Sequence, residues 1–263
     1  MKLFVQAALE YRFSHTTDML LQIEAAALPE QTVSGAQIDI SQSAHAVRVP
    51  GHELIGERIW LRVDERLCVN YYATVAITRN AADVRTLPET PPHLLPGSAV
   101  DYLMPSRYCQ SDLFANFVDA EFAGLHGGAR VMAIHDWVHD SFAYVPGVSS
   151  SATTALESFV RREGICRDYA HVLIALVRAC GIPARIASVY ALGVEPQDFH
   201  AVAEVFVGNE WHLVDATGMA RGSAMAKIAV GRDAADVSFL TAYGFAQLQA
   251  MSVSVSAAYT KLR

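Results

Sequence analysis

The chain has 263 residues, 52% of them hydrophobic, so it can bury a sizeable core and is not a disordered chain. Asp and Glu number 27 against 20 Lys and Arg, a net charge of −7 without any basic cluster, which excludes the usual footprint of a nucleic-acid binder. No stretch is long and apolar enough to span a bilayer, Met1-Lys2-Leu3-Phe4-Val5-Gln6 does not read as a signal peptide, and the four cysteines show no metal-like spacing, so a cytoplasmic protein with reduced thiols and neither metal nor cofactor is expected.

Along the chain, strand signals come first. Residues 2–13 and 66–78 mix aromatic, β-branched and polar residues with partial alternation, 53–63 is a further candidate, and 19–27 is ambiguous. Long helical patterns are missing there, and a β-sandwich-like N-terminal domain is the natural reading. The run Leu87-Pro88-Glu89-Thr90-Pro91-Pro92-His93-Leu94-Leu95-Pro96-Gly97 can continue neither a helix nor a central strand and reads as a linker. This divides the chain into a β-rich domain at 1–100 and a second domain at 101–263.

Helices follow. Ser106 is placed to cap a helix reaching about Phe122, Gly127-Gly128 interrupts the chain, 129–142 forms a second helix, and Thr153 or Thr154 opens a third that Gly164 ends. The next begins near Cys166, with Ala170, Leu173, Ile174 and Val177 at helical spacing, and stops at Gly181-Ile182-Pro183. From Arg185 strands dominate, and 252–257 alternates well enough to be one more. Helices followed by an antiparallel sheet indicate an α+β core.

Chemistry concentrates in three places. Cys166 sits where Gly164 permits a tight turn into a helix, so its thiol meets the unpaired N–H groups and dipole of a helix start, a setting that favours a thiolate. Downstream, residues from His200 to Val207 read as a central strand, Gly208-Asn209 as a hairpin turn, and Trp211 to Asp215 as the returning strand. That offset pairs the start of the first strand with the end of the second and sets His200 beside Asp215 or the residues just after it. An aspartate there can orient the imidazole and stabilise its charged form, which completes a Cys-His-Asp constellation.

The segments Gly164-Ile165-Cys166-Arg167-Asp168-Tyr169-Ala170-His171, Gly181-Ile182-Pro183-Ala184-Arg185, Asp198-Phe199-His200-Ala201 and Trp211-His212-Leu213-Val214-Asp215-Ala216-Thr217 resemble the bacterial transglutaminase-like family, whose members are described as cysteine proteases. The likeness extends upstream through Tyr102 to Tyr108 and Phe142 to Gly147. It covers about 102–217 in order and spacing, while the first hundred residues match in general character, as the β-rich domain such proteins carry. The resemblance implies a transglutaminase-like, papain-related α+β core, with Cys166 as nucleophile, His200 as base and Asp215 as orienting acid. One departure concerns the cleft wall: many relatives carry His-Ala-Trp-Val-Glu where this chain has His200-Ala201-Val202-Ala203-Glu204.

Plainer readings compete at each position. A free cysteine is most often a small buried hydrophobe, and Cys180, late in the Cys166 helix, fits that description. His171 and His212 fit as core histidines better than His200 does, and Asp215, before Ala216-Thr217-Gly218, could be a turn residue. His135 and His139 share a helix face as in zinc proteases, but Asp136 stands where a longer glutamate is needed and no third ligand is evident, so metal binding is not expected. The Cys166 N–H is one expected oxyanion donor and Tyr144 is the candidate second, a substrate-binding residue, or else a cleft wall. The expected function is acyl transfer on an amide or peptide bond, with hydrolysis of a peptide or protein substrate preferred. A protein-glutamine transglutaminase and a non-catalytic binding module on the same fold are the alternatives.

Overall fold

The computed structural model describes residues 1–41, 43–79 and 82–258. Six strands come first: β1 (Lys2–Phe13), β2 (Thr17–Leu21), β3 (Gln31–Ile40), β4 (His45–Pro50), β5 (Glu57–Val63) and β6 (Arg66–Ile77). A short helix α1 (Gly97–Val100) leads to α2 (Ala115–Glu121) and α3 (Gly127–Ser141), then to β7 (Ala143–Tyr144), α4 (Ala155–Arg161), β8 (Glu163–Gly164) and α5 (Cys166–Ala179). The remainder is β9 (Ala184–Ala191), β10 (His200–Val207), β11 (Glu210–Val214), β12 (Met225–Gly231), α6 (Ala234–Val237), β13 (Leu240–Ala242) and β14 (Ala246–Ala257).

The period-two pattern of β1 and β6 is nearly complete. Leu3, Val5, Ala7, Leu9, Tyr11 and Phe13 are buried, as are Leu67, Val69, Tyr71, Ala73, Val75 and Ile77, while their neighbours face outward. These strands sit in an antiparallel sheet of order β14-β1-β6-β3, and a second antiparallel sheet has the order β13-β2-β5-β4. The buried faces of both sheets feed one apolar cluster that continues into the helices. A third sheet, β11-β10-β9-β12, carries the core. β9 is buried along its whole length and β10 almost so, as strands covered on both faces must be. Helix α5 lies against β9 and β10 with α3 and α4 beside it, and it is buried on every side from Asp168 to Arg178.

Three expectations change. First, the division at residue 100 is not the one drawn by hydrogen bonding. β13 pairs with β2 and β14 pairs with β1, so residues 240–257 belong to the sheets of the first hundred residues. Second, the proline-rich segment is docked and not free. Gly128 donates its N–H to Leu87 O (2.9 Å) and Gly208 donates to Pro88 O (2.9 Å). A Cβ on Gly128 would stand 1.6 Å from Val84 O, so only glycine lets α3 start under this strap. Third, the helix expected from Ser106 forms only from Ala115, because the Ser106 hydroxyl instead accepts a hydrogen bond from the buried Arg178 guanidinium (3.1 Å).

The two parts are also joined by buried charge. Glu204 of β10 accepts from Arg185 Nε (2.7 Å) and Lys227 Nζ (2.8 Å). Arg185 reaches on to Glu53 (2.6 Å), Lys227 to Glu30 (2.8 Å), and the Arg185 guanidinium stacks 4.0 Å from the Trp211 ring. Burial alone would raise the Glu204 pKa, but the two cations overcome it and bring it down to about 2.

Candidate active site

The turn into α5 is built by Gly164 and Asp168. Asp168 accepts from the Ile165 N–H (2.9 Å) and from the Ser149 hydroxyl, and a Cβ on Gly164 would lie 2.6 Å from the Asp168 Cβ. Cys166 is therefore fixed as the first residue of a long helix, half-buried, at the positive end of the helix dipole. Tyr144, carried by β7 beside β8, lines the same cleft as Cys166. Burial first, and then the Cys166 thiol, push that phenol up to about 12.

The hairpin delivers the other two groups. Gly208 and Asn209 both take positive φ, 61° and 63°, the geometry of a two-residue turn, and the ladder runs from Val207 opposite Glu210 to Ala203 opposite Val214. Beyond its end, His200 Nε2 lies 2.9 Å from Asp215 Oδ2. Asp215 is held in turn: Oδ1 accepts from the Thr217 N–H (3.0 Å) and hydroxyl (2.7 Å), and Oδ2 also accepts from the Ala220 N–H (3.1 Å). His200 Nδ1 is buried and, among the described residues, has no geometric hydrogen-bond partner, while Cys166 shares the same cleft. Burial pulls the His200 pKa down, but the hydrogen bond to Asp215, the nearby Cys166 and the charges of both outweigh that and push it up to about 10. Asp215 moves the other way. Burial would raise it, and the contacts with His200 and Thr217 hold it below the usual carboxylate range.

The two histidines of α3 do something the sequence reading did not anticipate. Their rings lie parallel, 6.2 Å apart, and both point at the turn that carries Asp215. His135 Nε2 is 3.0 Å from the Asp215 carbonyl oxygen and His139 Nδ1 is 3.1 Å from that of Ala216. The other His135 nitrogen meets Asp136 (2.9 Å), which is paired with Arg85 (2.9 Å). Both partners of His135 are oxygens, so the ring is held between the Asp136 side chain and the Asp215 carbonyl. The shared helix face was readable from the i, i+4 spacing, but carbonyl acceptors leave no mark in a side-chain pattern.

A cleft of about 610 Å³ collects Cys166, His200 and Tyr144, with Asp215 behind the imidazole. Cys109 and Cys180 lie elsewhere, and burial pushes their thiols up to about 12 and about 11. Cys68 sits on β6. His171 is the core histidine expected: fully buried, stacked on Tyr108 at 5.3 Å, with burial bringing its pKa down to about 3. The residues that replace the relatives' tryptophan do not shape the cleft. Val202 and Ala203 are buried among the strands, and Ala201 is the neighbour of His200 that lines the opening.

Residues 120–216, a span that includes Cys166, His200 and Asp215, match the family model of the transglutaminase-like superfamily. A solved structure named "a Putative Cysteine Protease from Cytophaga hutchinsonii" superimposes with a TM-score of 0.93 at 29% identity, covering 100% of this chain and 92% of that one. The chain carries a transglutaminase-like core. An uncharacterized protein of Mycobacterium leprae, ML0607, is 26% identical over 147 residues. The match covers 52% of each, so the chain spans about half the length of this curated relative. Because the Cytophaga likeness covers the whole chain, the β-sheets that flank the transglutaminase-like core belong to the shared architecture. Among the described residues no helix is long and apolar enough to cross a membrane.

Proposed function

We propose that this protein cleaves amide bonds in peptides or proteins by thiol acyl transfer, with Cys166 as nucleophile, His200 as general base and acid, and Asp215 as the orienting carboxylate. The observation that carries the reading is the divided use of the His200 ring. Nε2 is committed to Asp215 at 2.9 Å, and Nδ1, in the cleft it shares with Cys166, has no hydrogen-bond partner among the described residues. In this mechanism Nδ1 takes the thiol proton and Sγ attacks the carbonyl carbon. The oxyanion that forms is met by the Cys166 N–H and the Tyr144 hydroxyl. The carbon–nitrogen bond then breaks as His200 returns the proton to the leaving amine, and water, deprotonated by the same nitrogen, resolves the thioester. Asp215 stabilises the imidazolium between the two transfers.

Water is the preferred acceptor because a competing amine must be held at high effective concentration to outrun it. The test supplies a glutamine-containing peptide with and without a primary amine and follows peptide hydrolysis, ammonia release and amine incorporation, with Cys166→Ala as control. Amine incorporation that outruns hydrolysis at modest amine concentration would make this a transglutaminase. A Cys166→Ala protein as active as the wild type would remove the thiol from the chemistry.

A further inference from the structure

The lining of the cleft is uneven in its chemistry. Phe199 and Phe239 stack at 4.9 Å with an interplanar angle of 11°, and Leu240 and Met251 line the same space. All four are half-buried, so each keeps apolar surface that a ligand can cover. Phe199 immediately precedes His200, which sets this apolar group next to the reacting atoms. Besides His200, the charged lining residues are Arg167 and Asp198. Arg167 donates from Nη2 to Ser150 O (2.7 Å) and lies 3.3 Å from Asp168, which neutralises much of its charge, while its Nε has no partner among the described residues. Asp198 accepts a bond from its own neighbour's N–H (Phe199, 2.7 Å), and the charge of His200, two residues on, works to lower its pKa. Asp198 and Tyr144 line the same cleft. Asp198 stands exposed at the mouth of the cleft, where partial loss of solvent outweighs these contacts and raises its pKa, and a second carboxylate beside it would add repulsion to that cost.

We propose that the site takes substrates with a bulky apolar side chain, aromatic or branched aliphatic, beside the scissile amide, and excludes those with a carboxylate there. Phe199, Phe239, Leu240 and Met251 cover the apolar group, and Asp198 rejects the anion. This rests on the reading of Cys166 as the cleft nucleophile. Leu240 and Met251 come from β13 and β14, so the wall that selects the substrate is supplied by the sheets of the β-rich part.

The test uses alkylating probes and needs no substrate. Iodoacetamide, N-benzyl iodoacetamide and iodoacetate each lose iodide to the attacking thiolate, and labelling of Cys166 is followed by mass spectrometry with each rate normalised to that of glutathione. The benzyl reagent is expected to react about tenfold faster than iodoacetamide through the apolar area it buries, and iodoacetate about tenfold slower. Phe239→Ala should lower the benzyl-to-plain ratio by about threefold or more, and Asp198→Asn should raise the iodoacetate-to-iodoacetamide ratio by about fivefold. Because each readout is a ratio, a general loss of reactivity in a variant cancels. Wild-type ratios near one, or ratios that neither variant moves, overturn the proposal alone. Cys166 inert to all three reagents overturns the nucleophile reading and the proposal with it. Selective labelling supports the proposal even if no peptide is hydrolysed, a result that would sink the hydrolytic reading only.

Discussion

Replacing Asp215 by Asn keeps the shape of the side chain and changes what each of its atoms can accept. In the wild type four hydrogens converge on the carboxylate: the Thr217 N–H and hydroxyl on Oδ1, and the His200 Nε2–H and Ala220 N–H on Oδ2. An asparagine has one oxygen. If it keeps the Thr217 pair, its NH2 faces the Ala220 N–H and the His200 ring, and His200 must present a bare Nε2 and carry its proton on Nδ1, the nitrogen proposed to serve Cys166. A charge-assisted bond is worth about 1.5–3 kcal/mol and an orphaned buried N–H costs about 1–3 kcal/mol, so the variant should be about 3 kcal/mol less stable. For a chain of this size that is roughly 6 °C in Tm, and the protein stays folded at 25 °C. Loss of the imidazolium's partner, at up to ~3 kcal/mol, should slow alkylation of Cys166 at pH 6 by about a hundredfold. Turnover, which also needs the correct tautomer, should fall about a thousandfold. Thermal melts and timed iodoacetamide labelling read the two effects separately. An Asp215→Asn protein whose Cys166 labels within threefold of wild type at pH 6 would show that Asp215 does not sustain the charged pair.

Other outcomes follow from other contacts. His135→Leu should slow Cys166 labelling about tenfold by freeing the turn that holds Asp215, while His135→Gln, which can still donate to the Asp215 carbonyl, should keep most of the rate; equal losses in labelling time courses would exclude that hydrogen bond as the cause. Glu204 has a folded pKa of about 2 against an ordinary value of 4.5, a depressed value, so its contribution is present above about pH 4.5 and is lost as pH falls toward 2. That loss is on the order of 3 kcal/mol, and urea titrations from pH 6 to pH 3 should show a steeper decline in the wild type than in Glu204→Gln; parallel declines would place the acid sensitivity elsewhere. In the native protein Cys166 should label first, and Cys109 and Cys180, whose thiols burial raises to about 12 and about 11, should wait for denaturant. Peptide mapping that found either of them labelled ahead of Cys166 would contradict the order.

Much of the site was legible because it is local or set by a hairpin. The glycine before Cys166, the periodic run after it, and the two-residue turn at 208–209 together bring His200 and Asp215 within hydrogen-bond reach. β1 and β6 were legible for the same reason, as their alternation is nearly unbroken. β4 was not: its side chains are almost all exposed, so there is no buried face to give it a period. The partner of β14 was hidden more deeply. The residues alternate, but nothing in 246–257 says that they lie against 3–13 and not against the strands that precede them. The same holds for Ser106, a good cap by type, whose hydroxyl is taken by an arginine 72 residues away. Long-range acceptors of this kind also explain why His135 and His139 could be placed on one helix face but not given their carbonyl partners.

The pairing of Leu3 with Ala257 bears on how the cleft is assembled during folding. During synthesis β1 and β6 emerge well before β14, so β1 can join β6 early, yet its other edge stays open until the helices and the third sheet have been translated. Contacts of such sequence separation form slowly, and an uncovered strand edge invites association with other chains in the meantime. Met251 reaches the cleft only on the strand that closes this edge. A nascent chain can therefore carry Cys166, His200 and Asp215 before the strand that brings Met251 to their cleft has paired, and the cleft is complete only once that edge is closed.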